Sequence, residues 1–346
     1  MNAHASAPRA GRFPLTLITG FLGSGKTTLL TRLLTHPSMQ NAAVVINEIG
    51  EIGIDNELVS FSSENISVLA NGCICCTVRT DLQETLRDLY GQRRAGAIPD
   101  FDRVIVETTG LADPAPVVQT LLNDTLIAAQ FRLDGIITLV DAVNGEQQLD
   151  TYPEAVKQVA LADRILLTKT DLASPQTTEA LTHALRALNA SAAVLPVLHG
   201  QIEPEQLTGL GLTSSRVSAQ TLSFLGTALD APSGGEDARG TPLRPHRQNI
   251  RTLALRFDKP FTWPMIASAL DMLTALRGPD LLRMKGILNV DGEPVVVQCV
   301  QHIFHPPVQL ERWPDESRQS RLVFITRDID PEMLSGVFKV AQGLAG

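Results

Sequence analysis

The sequence has no excess of positive charge: Lys and Arg number 29 against 37 Asp and Glu, for a net charge of −8 and a pI of about 5.4. That leaves no electrostatic footprint for nucleic acid or an anionic lipid surface, so neither nucleic acid nor membrane is an expected partner. No run of about 18 apolar residues exists to span a bilayer, and Met1 to Arg12 has only small and polar residues. The expectations are a disordered tail over residues 1–12 and a cytoplasmic location. Cysteine is scarce, with four in 346 residues. A disulfide scaffold would spread them to close distant loops, but Cys73, Cys75 and Cys76 lie together, which points to metal or redox chemistry in a reducing compartment. Cys299, inside an apolar run, reads as a buried core thiol. There is no internal repeat. The seven histidines are scattered, and His302 and His305 suit ordinary core or surface positions on or after a C-terminal strand.

What is present is organised around Phe13 to Leu34. Leu15, Leu17 and Ile18 read as a buried strand, while Leu29, Leu30, Leu33 and Leu34 recur at helical spacing. Between them Gly20 to Thr27 spells G-x-x-x-x-G-K-T. The pattern has a mechanism in that setting: Gly20, Gly23 and Gly25 frame a loop whose backbone closes around phosphate. The N–H groups of residues 23–28, Ser24 and Thr28 among them, point inward at a helix N-terminus. Lys26 would reach the β- and γ-phosphates and the Thr27 hydroxyl would ligate Mg²⁺.

Short apolar strands then alternate with helices: Ala42 to Ile46, Ile66 to Leu69, Asp102 to Glu107, Leu133 to Asp141, Arg164 to Thr168 and Ala192 to Leu198. This rhythm predicts an α/β fold, a P-loop NTPase with a doubly wound, mainly parallel sheet over residues 13–212. Ligands on such sheets bind at the carboxyl ends of strands, where every candidate motif falls. Residues 213–249 are rich in Pro, Gly and charge and read as a linker. Beyond them, residues 250–346 predict a smaller α+β domain, with two strands within Leu288 to Phe304 around the turn Asp291-Gly-Glu-Pro294.

Several constellations carry chemistry. Glu107 at a strand end, with Gly110 three residues on, fits the second half of a phosphate site: the carboxylate would hold Mg²⁺ directly or through water, and the Gly110 N–H would sense the γ-phosphate. Asn47 to Asp55 is a glycine-containing acidic loop placed where a nucleotide switch would lie, and Glu48, Glu51 and Asp55 are candidates for an acid that orients water. Thr168-Lys-Thr-Asp171 is the base-reading candidate. The Asp171 carboxylate would accept from guanine N1–H and the 2-amino group, with the Lys169 stem over the base, which favours GTP. Thr168 stands where the N-K-x-D signature has Asn. His199-Gly200 could lie near the base by position alone.

Cys73-Ile-Cys-Cys76 offers three soft ligands suited to Zn²⁺, Cu(I) or another thiophilic ion. Adjacent thiols cannot all point one way from a strand, so the expectation is a loop, supplied by Asn71-Gly72. The fourth position is open to a carboxylate, with Glu51 the best candidate, to a histidine, to water or to a partner's ligand. A redox role for the thiols is the competing reading.

Together, Gly20 to Thr28, Asn47 to Asp55, Asn71 to Cys76, Glu107-Thr-Thr-Gly-Leu-Ala-Asp-Pro114 and Thr168 to Asp171 resemble the CobW family of metallochaperone GTPases, in the family's order. Arg283-Met-Lys-Gly286, Asp291 to Pro294, Gln298 to Gln301, Trp313 and Leu322 to Arg327 are similar to the family's C-terminal domain. Leu139-Val-Asp-Ala142 and Asp163 to Asp171 bring the chain near its YjiA branch. The resemblance implies GTP hydrolysis to GDP, Mg²⁺ held by Thr27 and Glu107, and a transition metal, zinc or cobalt, held by Cys73, Cys75, Cys76 and Glu51. It also implies a client metalloprotein, and leaves open a homodimer dependent on nucleotide or metal. The linker lacks the histidine-rich tract that some members use to store metal, so transfer rather than storage is expected. A metal-sensing module with negligible turnover and an ATP-dependent kinase or ligase are the alternatives.

Overall fold

The computed structural model describes residues 11–47, 59–62, 66–69, 74–77, 82–211 and 249–343. Of the expected linker 213–249 all but Asn249, of the expected tail 1–12 residues 1–10, and Glu48, Glu51, Asp55 and Cys73 lie outside them.

The first strand, β1 (Phe13–Gly20), lies in the interior of the larger sheet, and both its faces are apolar. Leu15 and Leu17 join one core and Ile18 the other, and all three are fully buried. Such a strand needs helices on both sides. The first core takes its cover from α2 (Leu82–Arg94), α3 (Ala115–Asn123), α4 (Thr125–Gln130), α5 (Gly145–Thr151), α6 (Pro153–Leu161) and α7 (Pro175–Leu188), and the second from α1 (Lys26–Leu34). The remaining strands are β2 (Ala42–Asn47), β3 (Val59–Ser62), β4 (Ile66–Leu69), β5 (Ile74–Thr77), β6 (Arg103–Thr108), β7 (Phe131–Asp141), β8 (Arg164–Thr168) and β9 (Ala193–Val197). Their order is β3-β4-β5-β2-β6-β1-β7-β8-β9, parallel from β5 to β9 with an antiparallel β3–β4 extension. Pro196 lies in the last strand, an edge position where a missing N–H is tolerated.

The smaller sheet is antiparallel: β10 (Ile250–Phe257), β15 (Ser320–Arg327), β11 (Leu281–Val290), β12 (Glu293–Val300) and β13 (Ile303–Phe304) in that order, with β14 (Val308–Gln309) beside β12. Helices α8 (Trp263–Arg277) and α9 (Pro331–Gly343) pack on it around Phe257, Phe261, Phe324 and Phe338. The turn at Asp291-Gly292, both at positive φ, is where the sequence places it. Strand β11 begins seven residues before the expected Leu288, because Arg283 and Lys285 interrupt its apolar pattern and yet are buried. Their burial has a partner across the chain. Asp163, between α6 and β8, accepts from Arg283 Nη2 at 2.5 Å and from Lys285 Nζ. Ile250, Leu282, Val300 and Ile325 complete the seam by joining the larger core, and Gln119 of α3 donates to Gln301 at 3.1 Å.

Candidate nucleotide and metal site

The loop from Gly20 to Gly25 leaves β1 and enters α1 with Gly20, Gly23 and Gly25 at φ 144°, 73° and 98°, a left-handed sequence that β-carbons resist. Helix α1 begins at Lys26, so its first N–H groups have no intrahelical partner and face the loop. Lys26 is buried, and its ammonium donates to the carbonyls of Gly20 (3.0 Å) and Phe21 (3.4 Å). The Ser24 hydroxyl is buried too, without a hydrogen-bond partner among the described residues. Thr27 and Thr28 are exposed at the start of α1.

Glu107 is buried at the end of β6, in register with Ile18 of β1 and Ile46 of β2, so the strand order brings it beside the loop that follows β1. The next residue, Thr108, donates to Thr19 Oγ1 at 2.8 Å and ties the two strand ends together. Gly110 is pressed against the first loop: a β-carbon there would lie 2.7 Å from Leu22 N. The residues after Glu107 and the glycine-rich loop therefore meet backbone to backbone.

At the far end of the crevice, β8 delivers Thr168, Lys169 and Asp171. Thr168, which stands where the signature has Asn, places its hydroxyl 2.8 Å from the Ser24 carbonyl and 3.2 Å from that of Val140. Lys169 sits at φ 56° and its ammonium donates to Asp141 at 2.7 Å. Asp141, at the end of β7, also accepts from Asn144 and from the Val143 N–H. Burial alone would raise its pKa, but these bonds and the Lys169 charge hold it below the usual carboxylate range. Asp171 is exposed, and His199 Nε2 stands 4.0 Å from it. Gly200 packs against α1, where a β-carbon would come within 2.8 Å of the Thr28 carbonyl.

A family model for the CobW/HypB/UreG nucleotide-binding domain matches residues 14–196, and one for the cobalamin synthesis protein cobW C-terminal domain matches residues 250–341. The chain belongs to the CobW/HypB/UreG family. Among relatives of this CobW-type chain, the zinc chaperone YjiA of Escherichia coli is 36% identical over 94% of it and 97% of that protein. The zinc chaperone CobW of Pseudomonas aeruginosa is 30% identical over 95% and 92%. The crystal structure of Zn(II)-bound YjiA GTPase from E. coli superposes with a TM-score of 0.75 at 33% identity, covering 96% of this chain and 99% of that one. A Zn(II)-bound triple mutant of YjiA, with one glutamate and two adjacent cysteines changed to alanine, matches with the same score.

The cysteine segment of this CobW-type chain departs from expectation. Cys75 and Cys76 lie in β5, paired with Val44 and Val45 of β2 and with Ser67 and Ile66 of β4, rather than in a loop. Ladder bonds on both sides of the segment account for this, since the four-residue strand closes the gap between β2 and β4. Among the described residues no group of three or more His, Cys, Asp or Glu is placed to hold a metal. Cys299 is a buried core thiol whose pKa burial pushes up to about 12. Among the described residues no helix is long and apolar enough to cross a membrane. Sequence reasoning passed over the role of Asp141, met only as a strand end and within a resemblance, and Gln158, which had no motif to announce it.

Proposed function

We propose that this protein hydrolyses GTP to GDP and phosphate, and uses that cycle to carry a thiophilic metal, zinc or cobalt, on Cys73, Cys75 and Cys76 to a client metalloprotein. The observation that carries the hydrolase part is the cradle of Gly20 to Thr27. Its left-handed glycines, the Lys26 ammonium at its base and the buried Ser24 hydroxyl suit a polyphosphate and little else. Thr27 and Glu107 supply a hydroxyl and a carboxylate, hard oxygen donors that fit Mg²⁺, which when bound would neutralise charge on the β- and γ-phosphates.

In this reading Lys26 and the loop amides stabilise the leaving β–γ oxygen, Gly110 N–H reads the γ-phosphate, and Glu48, Glu51 or Asp55 orients water. Asp171 and Lys169 read the guanine, with Asp141 holding the lysine by its ammonium. Residues 13–212 would form the GTPase domain, 213–249 its linker and 250–346 a client or control domain, in a cytoplasmic protein. The metal part is supported by the relatives that are zinc chaperones and by the soft thiol donors of the cysteine segment. Glu51 would be the fourth ligand.

The test is Zn²⁺ affinity of the reduced protein by competition with a chromogenic chelator, in apo, Mg·GDP and Mg·GTP-analogue states. Co²⁺ is titrated alongside for thiolate charge transfer. Tighter binding with the analogue is expected, because two ligands that favour one state raise each other's affinity. The Cys75→Ala variant should lose that tight site while keeping GDP; wild-type titration by this variant defeats the assignment.

A further inference from the structure

The segment after Glu107 is held by a helix that no motif singles out. Gln158 of α6 is buried, and its side-chain amide donates to the carbonyls of both Gly110 (3.1 Å) and Ala112 (3.0 Å). One residue earlier, the Lys157 ammonium donates to Asp113 at 2.8 Å, and the other oxygen of that carboxylate accepts from the Ala115 N–H at 2.9 Å. Three contacts from two residues of α6 thus fall on the four residues 110–113. The helix has little freedom of its own. The Gln158 carbonyl accepts from the Thr138 hydroxyl of β7 at 2.7 Å, and Asp163, two residues beyond the helix, is locked to Arg283 and Lys285.

The geometry matters because a peptide unit is planar and trans. A bond to the Gly110 carbonyl fixes the plane that carries the Leu111 N–H, and a bond to the Ala112 carbonyl fixes the plane that carries the Asp113 N–H. Gly110 itself is trapped between this helix and Leu22 of the phosphate loop, where no β-carbon fits. The Gly110 N–H that would meet a γ-phosphate lies in the preceding peptide unit, so Gln158 acts on it through the Gly110 α-carbon, which the bonded carbonyl on one side and Leu22 on the other hold in place; such an N–H works only if its direction is set beforehand.

We infer that Gln158 is a positioning residue for GTP hydrolysis: with Lys157 it sets the orientation of residues 110–113 against the phosphate loop, from a helix that the C-terminal sheet anchors through Asp163. The inference rests on the GTPase reading above. It differs from that reading in placing part of the rate on a residue that touches neither phosphate nor base. The amide acts on hydrolysis more than on nucleotide retention, since GDP has no γ-phosphate for the loop to meet.

The experiment compares wild type with Gln158→Met, which keeps length and burial but removes both donors, in steady-state phosphate release and in titration with a fluorescent GDP. The expected result is a fall in kcat of about tenfold or more, with KM for GTP and GDP affinity within about twofold of wild type. An unchanged or raised kcat overturns the proposal, and so does a loss of GDP affinity as large as the loss in kcat, which marks a merely structural role. Should Gln158→Met fail to fold, Lys157→Met removes the third contact from a half-exposed position; kcat must fall with GDP affinity unchanged, or the proposal fails. Absence of phosphate release from wild type itself would strike the GTPase reading instead.

Discussion

At the start of β8, Asp163 meets Arg283 and Lys285 with all three side chains 6% exposed or less; just past its other end, Lys169 meets Asp141 with the lysine 36% exposed. The chemistry is the same and the consequence differs. At the seam, burial by itself would raise the Asp163 pKa, but the two cations overcome it and hold the carboxyl at about 2, while burial pulls Lys285 below its ordinary value. Such a cluster adds little net energy over a well-packed apolar contact, yet removing one member is expensive, so its use is to specify one docking of the two sheets. At the nucleotide end the carboxylate is buried but the lysine is partly exposed, and the use of the pair is to hold one side chain in place.

The sharpest way to break this comparison is Asp163→Asn, which leaves two cations buried without a carboxylate. We expect a loss of about 3–5 kcal/mol in urea unfolding. A loss under about 1 kcal/mol would make the two ends alike. Acid gives the next largest effect. His305, buried at the seam, is held at about 3 by burial and by the Arg283 charge, against 6.5 for an unperturbed imidazole. Between those values the unfolded chain takes up a proton that the folded chain refuses, so stability should fall by about 1.4 kcal/mol per pH unit as the pH drops below 6.5. Asp163, depressed from 3.8 to about 2, adds a loss of the same sign at lower pH. Unfolding at pH 7 and pH 5.5 reads the slope, and His305→Gln should flatten it.

At the other end of β8, Asp141→Asn should weaken GDP binding about tenfold, equivalent to about 1.4 kcal/mol, by freeing Lys169, while unfolding changes less. Titration with fluorescent GDP checks this, and a variant that loses stability but not affinity would refute the division of labour. The smallest expected effect is that of Thr168→Val, which removes the hydroxyl bond to the Ser24 carbonyl and should cost about 1 kcal/mol of stability. Denaturant unfolding of this variant beside Asp163→Asn sets the scale.

Much of this was legible because phosphate binding writes itself locally. Gly20 to Thr27 are consecutive, and β1 and α1 flank them with apolar periods that have no other reading. Glu107 and Asp171 were legible at one remove, each at a strand end that the parallel sheet gathers to one edge. The seam was not. Arg283 and Lys285 look like solvent-facing residues until Asp163, 120 positions before Arg283, pairs with both, and that distance in sequence also hid the start of β11. Gln158 was hidden for another reason: an amide that bonds carbonyls leaves no mark on the residues it holds, since every residue offers a carbonyl. The cysteines read as candidate ligands by type, but pairing of Cys75 and Cys76 into β5 depends on neighbours that their own sequence does not contain.

Gly200, wedged against the Thr28 carbonyl, makes the floor of the crevice a gauge of fixed length. The segment at one end and the first turn of α1 at the other touch through main chain, where no rotamer can take up slack. Exchanging side chains can therefore change which base is preferred or how strongly phosphate is gripped, but not the span between the two. On the proposed reading, a ligand that is one phosphate shorter would fill that span from the base end and leave the region by Gly110 untouched, so the difference would be registered there without a weaker hold on the base.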